Sequence, residues 1–169
     1  MGVFMPDEQL ESVVGELLRA KGLTLSVAES CTGGLLGHRL TNVPGSSDYF
    51  MGGVVVYSYD AKERILHVRH DTLYDYGAVS EQTALEMARG VRRLFLTDVA
   101  LSVTGIAGPG GGMPGKPVGL VYIALSARDR EECHEFLWDS DREGNKARSA
   151  QAALEILAAY LHQRFEPRL

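Results

Sequence analysis

The stretch from Ala28 to Gly34, Ala-Glu-Ser-Cys-Thr-Gly-Gly, joins a predicted strand to a predicted helix. Before it, residues 23–27 alternate between apolar and polar side chains, which predicts a short strand. After it, apolar residues recur at helical spacing up to about Thr41. Ser30 is therefore expected at a strand-to-helix turn, where the unpaired backbone N–H groups of the new helix point at a bound ligand.

Two interpretations of this turn are open from the local sequence. Serine and threonine are favoured N-cap residues, so Ser30 could simply cap the helix. Alternatively, Ser30 is an exposed nucleophile, and the backbone N–H groups of Thr32, Gly33 and Gly34 face a substrate that the glycines allow to approach closely. The neighbouring Cys31 could be the nucleophile instead, although a residue beside a catalytic position on a turn often faces the core.

The composition favours one globular domain over residues 1–169. The chain is 45% hydrophobic and 23% charged, enough for a full core. Its net charge of -5, with scattered lysines and arginines, argues against nucleic-acid binding. Cys31 and Cys133 are too few for a disulfide framework or a thiolate metal site, which fits a reducing compartment. No signal peptide or membrane-spanning segment is recognised, so we expect a cytoplasmic protein.

Helical and strand patterns alternate along the chain. Helical patterns lie between Pro6 and Gly22, from Leu35 to about Thr41, in a short turn from Asp60, from Ser80 to Leu94 and from about Arg142 to Leu161. Strand patterns lie at 23–27, 51–58, 99–103, 118–127 and 132–138. The segment from His67 to Gly77 has no clear period. The alternation predicts an α/β three-layer α/β/α sandwich with a mixed, mostly parallel sheet, to which a hairpin adds an antiparallel strand. Ligands bind beyond the strand ends of such sheets, where Ser30, Tyr57 and Thr104 fall.

The segment after Thr104 is the richest in glycine. Residues 110–116 match the first seven positions of a Walker A loop, but Pro117 at the eighth has neither a hydroxyl for Mg²⁺ nor an N–H, and a strand follows instead of a helix. A nucleoside triphosphatase is therefore excluded. Consecutive glycine amides could still bind an anion, or the segment could be only a flexible loop.

A nucleophilic serine needs a base, and Lys62 follows the strand that ends near Tyr57. Burial would disfavour the ammonium form of Lys62 and so lower its pKa, and the positive end of the helix at Ser30 would lower that pKa further. The alternative is that Lys62 is solvated and stays charged. The pattern His67-x-x-His70-Asp71 is a weak metal signal, because exposed histidines in a polar segment are usually solvated. We expect no metal or cofactor.

Six sequence blocks, in order, resemble the CinA C-terminal domain family. They are Glu29-Ser30-Cys31-Thr32-Gly33-Gly34, Pro44-Gly45-Ser46-Ser47, Tyr57-Ser58 with Ala61-Lys62, Gly77-Ala78-Val79-Ser80, Thr104-Gly105-Ile106-Ala107-Gly108-Pro109 and Lys116-Pro117-Val118-Gly119. The similarity spans about Glu8 to Leu161. The family contains the nicotinamide mononucleotide amidases, so the resemblance implies a three-layer domain that hydrolyses the carboxamide of nicotinamide mononucleotide to the acid and ammonia without a cofactor.

The resemblance also implies roles for single residues. Ser30 is the implied nucleophile, Lys62 its base, and Tyr57 and Thr104 the neighbours that orient them. Candidate substrate-binding residues are Thr32, Gly33, Gly34, Ser46, Ser47, Gly105, Gly108, Gly110, Gly111, Arg142 and Arg148. The two arginines offer forked donors to a phosphate, and structural salt bridging is the alternative for each.

A different class of function stays open at this point. The family's name suggests a competence or DNA-damage accessory protein, and a nucleotide-binding module without turnover is a further alternative. Retention of Ser30 and Lys62 favours activity, and the acidic net charge disfavours DNA binding. The larger family members carry an additional N-terminal domain similar to molybdopterin-binding proteins. We expect this protein to be without that domain, like the stand-alone amidases. We expect a small-molecule substrate, no nucleic-acid or membrane partner, and a homo-oligomer such as a dimer.

Overall fold

A computed structural model describes residues 7–163 as six helices and five strands. The helices are α1 (Asp7–Lys21), α2 (Leu35–Thr41), α3 (Tyr59–Leu66), α4 (His70–Tyr76), α5 (Glu81–Phe95) and α6 (Arg142–Gln163); the strands are β1 (Leu25–Glu29), β2 (Phe50–Val55), β3 (Val99–Gly105), β4 (Leu120–Ala127) and β5 (Glu131–Leu137). A short 3₁₀ turn, Ser46–Asp48, precedes β2. None of the helices in this range is long and apolar enough to cross a membrane.

The strands form one mixed sheet in the order β2-β1-β3-β4-β5. The central strand β1 is parallel to both β2 and β3, whereas β4 is antiparallel to β3 and to β5. Four strands therefore run in one direction, and only β4 is reversed. The predicted hairpin supplies this reversed strand, which confirms the mixed sheet.

Helices cover both faces of the sheet, which confirms the three-layer architecture. On one face, Leu18 of α1, Leu36 of α2 and Leu157 of α6 belong to one buried cluster. On the other face, helices α3, α4 and α5 contribute Leu66, Leu73 and Met87 to a second cluster. Every residue of β1 is buried, because both of its faces are covered and both of its edges are paired.

Serine caps set the start of two helices near the candidate site. The Ser58 hydroxyl accepts a hydrogen bond from the backbone N–H of Ala61 at the start of α3. The Ser80 hydroxyl accepts one from the backbone N–H of Thr83 at the start of α5, which confirms the predicted beginning of that helix.

Two local features differ from the sequence prediction. Helix α4 lies in the segment without a clear period, because a helix of 7 residues that buries only Thr72 and Leu73 is too short to show a periodic pattern. Strand β2 ends at Val55 and not at Ser58. Tyr57 therefore lies in the connection between β2 and α3, at the same edge of the sheet as Ser30.

Candidate active site

The turn after β1 holds Ser30 at the edge of the sheet where β1 and β3 end. The Ser30 backbone N–H donates to the Val103 carbonyl at 2.9 Å, so the serine is fixed to the neighbouring strand. Its side chain faces a pocket of about 200 Å³. The pocket is lined by Ser30, Cys31, Tyr57, Lys62, Ala78, Val79, Thr104, Gly105, Ala107 and Arg142. The pocket therefore contains all four residues to which the resemblance assigns a role in the reaction, namely Ser30, Tyr57, Lys62 and Thr104.

Lys62 and Ser30 are in direct contact. The Lys62 Nζ lies 3.0 Å from the Ser30 Oγ. The same nitrogen donates to the Val56 carbonyl at 2.8 Å and, over a longer distance of 3.5 Å, to the Tyr57 carbonyl. Helix α3 positions the lysine, since it begins directly after the Tyr57-Ser58 connection and carries Lys62 in its first turn.

Burial changes the acid–base chemistry of Lys62. The side chain is only 1% exposed, and its amine forms no ion pair with a carboxylate in residues 7–163. Desolvation therefore lowers the Lys62 pKa from 10.5 to about 8, against a small opposing effect of Cys31. With this pKa, about a tenth of the lysine is a neutral amine at pH 7, far more than for a lysine with its ordinary pKa, as the prediction for a base requires.

The Cys31 thiol is a poor nucleophile in this setting. Its side chain is buried, and desolvation raises its pKa to about 12 although its own backbone N–H opposes the shift. The thiol therefore stays protonated at physiological pH, and the reactive form of a cysteine is the thiolate. Of the two candidates left open by the sequence, the geometry favours Ser30.

The Glu29 carboxylate occupies the N-terminus of α2. It is buried, and its Oε1 accepts hydrogen bonds from the backbone N–H groups of Gly34 at 3.2 Å and Leu36 at 2.9 Å. Its Oε2 accepts one from Gly37 at 3.0 Å. The Gly33 N–H donates to the carbonyl three residues earlier at 3.1 Å. The expectation that Gly33 and Gly34 present free amides to a ligand is therefore wrong.

Glu29 also removes the expected influence of the α2 N-terminus on Lys62. A carboxylate bound to the first amides of a helix neutralises the positive end of the helix dipole. The lowered Lys62 pKa arises from burial, and no contribution of the helix is needed to explain it.

Two amides of the Ser30 turn stay available to a ligand. Apart from the Cys31 thiol, which lies next to its own backbone N–H, the N–H groups of Cys31 and Thr32 have no acceptor within the described part of the chain. The buried Thr32 hydroxyl likewise has no partner there. Of the three amides predicted to face the substrate, only that of Thr32 is free to do so.

Tyr57 and Thr104 line the pocket in different ways. The Tyr57 ring is 63% exposed at the rim, and its hydroxyl accepts a hydrogen bond from Arg142 Nη2 at 3.2 Å. The Thr104 hydroxyl is buried and donates to the Ala78 carbonyl at 2.8 Å, which fixes the opposite wall. Neither hydroxyl forms a hydrogen bond with Ser30 or Lys62; the backbone carbonyl of Tyr57 is the part of these two residues that bonds to Lys62.

The structure separates the two candidate arginines. Arg142, at the start of α6, lines the pocket and donates from Nη1 to the Gly108 carbonyl at 2.7 Å. It thereby joins the glycine-rich segment to the pocket rim. Arg148 instead reaches the Asp139 carbonyl at 3.4 Å and lies outside the pocket lining.

Several other predicted substrate-binding residues are not brought to Ser30. Ser46 and Ser47 precede β2, at the opposite edge of the sheet, because α2 carries the chain back across the sheet before β2 begins. Gly110 and Gly111 lie in an exposed part of the loop outside the pocket lining. Among the predicted glycines, Gly105 is in the lining; Gly108 reaches the site only through its carbonyl, which Arg142 binds.

Two residues at the start of α6 were not predicted. Asn145 is buried and donates from Nδ2 to the Ala107 carbonyl at 2.9 Å, while its Oδ1 has no partner within residues 7–163. The Lys146 Nζ lies 3.7 Å from the position that a Cβ at Gly33 would occupy. Lys146 is one helical turn after Arg142, and this i, i+4 spacing was the signal in the sequence that could have identified it.

The weak metal pattern has no structural support. The His70 Nδ1 lies 2.7 Å from the Glu63 Oε1, and the His70 ring stacks on Tyr74. Over residues 7–163, no three metal-ligating side chains come together.

Comparison with known proteins identifies relatives of nearly the whole chain. A putative competence-damage inducible protein of Moorella thermoacetica is 54% identical over 151 residues, which cover 89% of this chain and 36% of that protein. A CinA-like protein of Thermotoga neapolitana is 48% identical over 160 residues, covering 95% of this chain and 39% of that protein. The chain thus spans less than two fifths of the length of these curated relatives.

Solved structures share the fold along their whole length. The competence/damage inducible protein CihA of Agrobacterium tumefaciens superposes with a TM-score of 0.89 at 44% identity, covering 96% of this chain and 99% of that one. A CinA superfamily protein of Enterobacter cloacae superposes with a TM-score of 0.91 at 35% identity, covering 95% of each chain. The CinA C-terminal domain family model matches residues 7–161. The chain belongs to the CinA C-terminal domain family.

Proposed function

We propose that this protein hydrolyses the carboxamide of nicotinamide mononucleotide to nicotinic acid mononucleotide and ammonia, with Ser30 as nucleophile and Lys62 as base. The observation that carries the proposal is the contact of 3.0 Å between the Ser30 Oγ and the buried Lys62 amine. A serine next to a desolvated amine is the arrangement that activates a hydroxyl without a histidine.

The partners of Lys62 direct its lone pair. Carbonyl oxygens only accept hydrogen bonds, so Val56 and Tyr57 engage two N–H bonds of the neutral amine. The lone pair is left for the Ser30 hydroxyl, which transfers its proton to Nζ as its oxygen attacks the amide carbon.

The remaining steps use groups of the same turn. The backbone N–H groups of Cys31 and Thr32 support the oxyanion of the tetrahedral intermediate. The Lys62 ammonium returns its proton to the departing nitrogen, so that the C–N bond breaks, ammonia leaves and an ester forms on Ser30. Lys62 then removes a proton from water, which attacks the ester carbon. Collapse of the second intermediate releases the carboxylic acid and returns the proton to Ser30.

The start of α6 provides positive charge for the substrate's phosphate. Arg142 lies at the rim of the pocket, and Lys146 lies one turn further along α6, beside Gly33 of the nucleophile turn. A forked guanidinium next to an ammonium suits a phosphate dianion. Phosphate binding there would hold the amide over Ser30.

The first test is ammonia release by the purified chain from nicotinamide mononucleotide and from free nicotinamide. We expect kcat/KM for the mononucleotide to exceed that for nicotinamide by about a hundredfold or more, because binding of the phosphate and ribose positions the amide for attack. The Ser30→Ala variant is the control for contaminating amidases and should release no ammonia above background.

Other outcomes separate the alternatives. Equal turnover of both compounds would contradict phosphate anchoring. Binding of the mononucleotide without turnover of either compound would contradict the amidase proposal and favour a nucleotide-binding module, which fits the competence-damage names of the relatives equally well.

A further inference from the structure

A second concave site lies at the opposite edge of the sheet from Ser30. Its pocket of about 240 Å³ is lined by Arg92, Arg93, Leu96, Thr97 and Arg128. The first two arginines belong to the last turn of α5, and the third lies in the turn between β4 and β5. Three arginines from two parts of the chain thus line one pocket, and its lining contains no acidic residue.

None of these arginines has an anionic partner in the part of the chain that the structure describes. No salt bridge or side-chain hydrogen bond involves their guanidinium groups within residues 7–163, and the buried Nε of Arg92 has no acceptor there. The Glu131 carboxylate interacts electrostatically with Arg92 at longer range. It already accepts hydrogen bonds of 2.7 to 3.0 Å from Arg89 and one of 3.0 Å from Ser126.

The dipole of α5 explains only part of this arrangement. Basic residues are favoured in the last turn of a helix, which accounts for Arg92 and Arg93 as surface residues. The helix dipole does not account for Arg128, which lies outside α5, or for the buried Nε of Arg92. A buried donor without an acceptor costs free energy unless a ligand accepts its hydrogen bond. Like charges in one pocket also repel each other unless an anion lies between them.

We propose that this pocket binds a small phosphorylated anion. Phosphoryl oxygens accept the parallel N–H donors of a guanidinium fork, and several such forks suit a ligand with more than one negative charge. A single carboxylate would be saturated by one of the arginines. The chemistry therefore favours a diphosphate or a phosphate ester with further anionic groups.

This site is distinct from the one proposed for the substrate. Strand β3 begins at Val99 beside the arginine pocket and ends at Gly105 in the pocket of Ser30. At a rise of about 3.3 Å per residue, the two sites lie roughly 20 Å apart. The inference therefore holds whether or not the chain is an amidase.

The test is calorimetric titration of the whole chain with inorganic pyrophosphate, and separately with inorganic phosphate, at an ionic strength of about 0.15 M. The test variant is Arg93→Gln/Arg128→Gln, since both side chains are exposed and Arg92, whose Nε is buried, is left in place. The matched control is Arg64→Gln/Arg69→Gln, which removes the same charge from exposed arginines elsewhere. Arg142→Gln reports any binding at the first pocket.

We expect pyrophosphate to bind the parent more tightly than phosphate does. The Arg93→Gln/Arg128→Gln variant should bind it at least about tenfold more weakly, whereas the Arg64→Gln/Arg69→Gln and Arg142→Gln variants should stay within about twofold of the parent. The proposal is overturned if millimolar pyrophosphate does not bind, if both double variants lose affinity equally, or if only Arg142→Gln weakens binding.

Discussion

At the scale of single residues, the account depends on the protonation state of Lys62. The sequence predicts a lysine near a strand end, and the structure adds the burial that lowers its pKa to about 8. A base must be deprotonated to act, so activity should increase with pH through this value. A solvated lysine, with a pKa near 10.4, would leave very little neutral amine at pH 7.

The first prediction at this scale is a pH profile. We expect kcat/KM for nicotinamide mononucleotide to rise about tenfold per pH unit up to about pH 8 and then to level, because kcat/KM reports groups of the free enzyme. Steady-state rates from about pH 7 upward avoid titration of the substrate phosphate, whose second pKa is about 6. A flat profile, or a rise centred above pH 10, would contradict the assignment.

Stability does not confound this measurement. The unfolded chain binds more protons than the folded one between the folded Lys62 pKa of about 8 and the ordinary value of 10.5. The contribution of Lys62 to the free energy of unfolding therefore increases with pH in this window. A fall in activity there would need another cause, and circular dichroism at each pH checks that the chain stays folded.

At the scale of elements, Glu29 joins β1 to α2 and shapes the turn that holds Ser30. Its carboxylate accepts three backbone hydrogen bonds, and a glutamine in its place would put a donor against a donor. We expect Glu29→Gln to lower the free energy of unfolding by about 1–3 kcal/mol and to lower kcat more than it changes KM. Thermal denaturation and steady-state kinetics measure these two effects.

The control for this prediction is Glu16→Gln, a change at an exposed glutamate of α1. Its Tm and kcat should match those of the parent. If Glu29→Gln also kept the parental Tm and kcat, the carboxylate would not support the turn.

Helix α6 carries the prediction about the substrate's phosphate. Arg142 lines the pocket and Arg148 does not, so the two arginines form a matched pair on one helix. We expect Arg142→Ala to raise KM for nicotinamide mononucleotide by about ten- to a hundredfold, the usual cost of a hydrogen bond to a charged group, with a smaller effect on kcat. Arg148→Ala should behave like the parent, and equal kinetics of the two variants would place the phosphate elsewhere.

At the scale of the whole molecule, the sequence predicts the layers of the fold better than the contacts of the site. The sheet and its helices follow from local periodicity, and only the short α4 is missed. The role of Glu29 depends on the fold of the turn, which no local pattern reports. The spacing from Arg142 puts Lys146 on the same face of α6, but its position beside Gly33 depends on how α6 packs against the turn. The prediction that Ser46 lies near Ser30 is wrong for a similar reason. The direction in which α2 crosses the sheet decides at which edge of the sheet Ser46 lies, and the local sequence does not report that direction.

The central claim is that Lys62 activates Ser30, and single-turnover hydrolysis of nicotinamide mononucleotide by Lys62 variants tests it most directly. Lys62→Arg keeps the positive charge but cannot give up a proton at working pH, and Lys62→Met keeps the approximate length without an amine, in case the buried site does not accept arginine. A binding titration accompanies each rate. The account predicts affinity within about threefold of the parent and rates lower by about a hundredfold or more. Near-parental rates in either folded variant would contradict it.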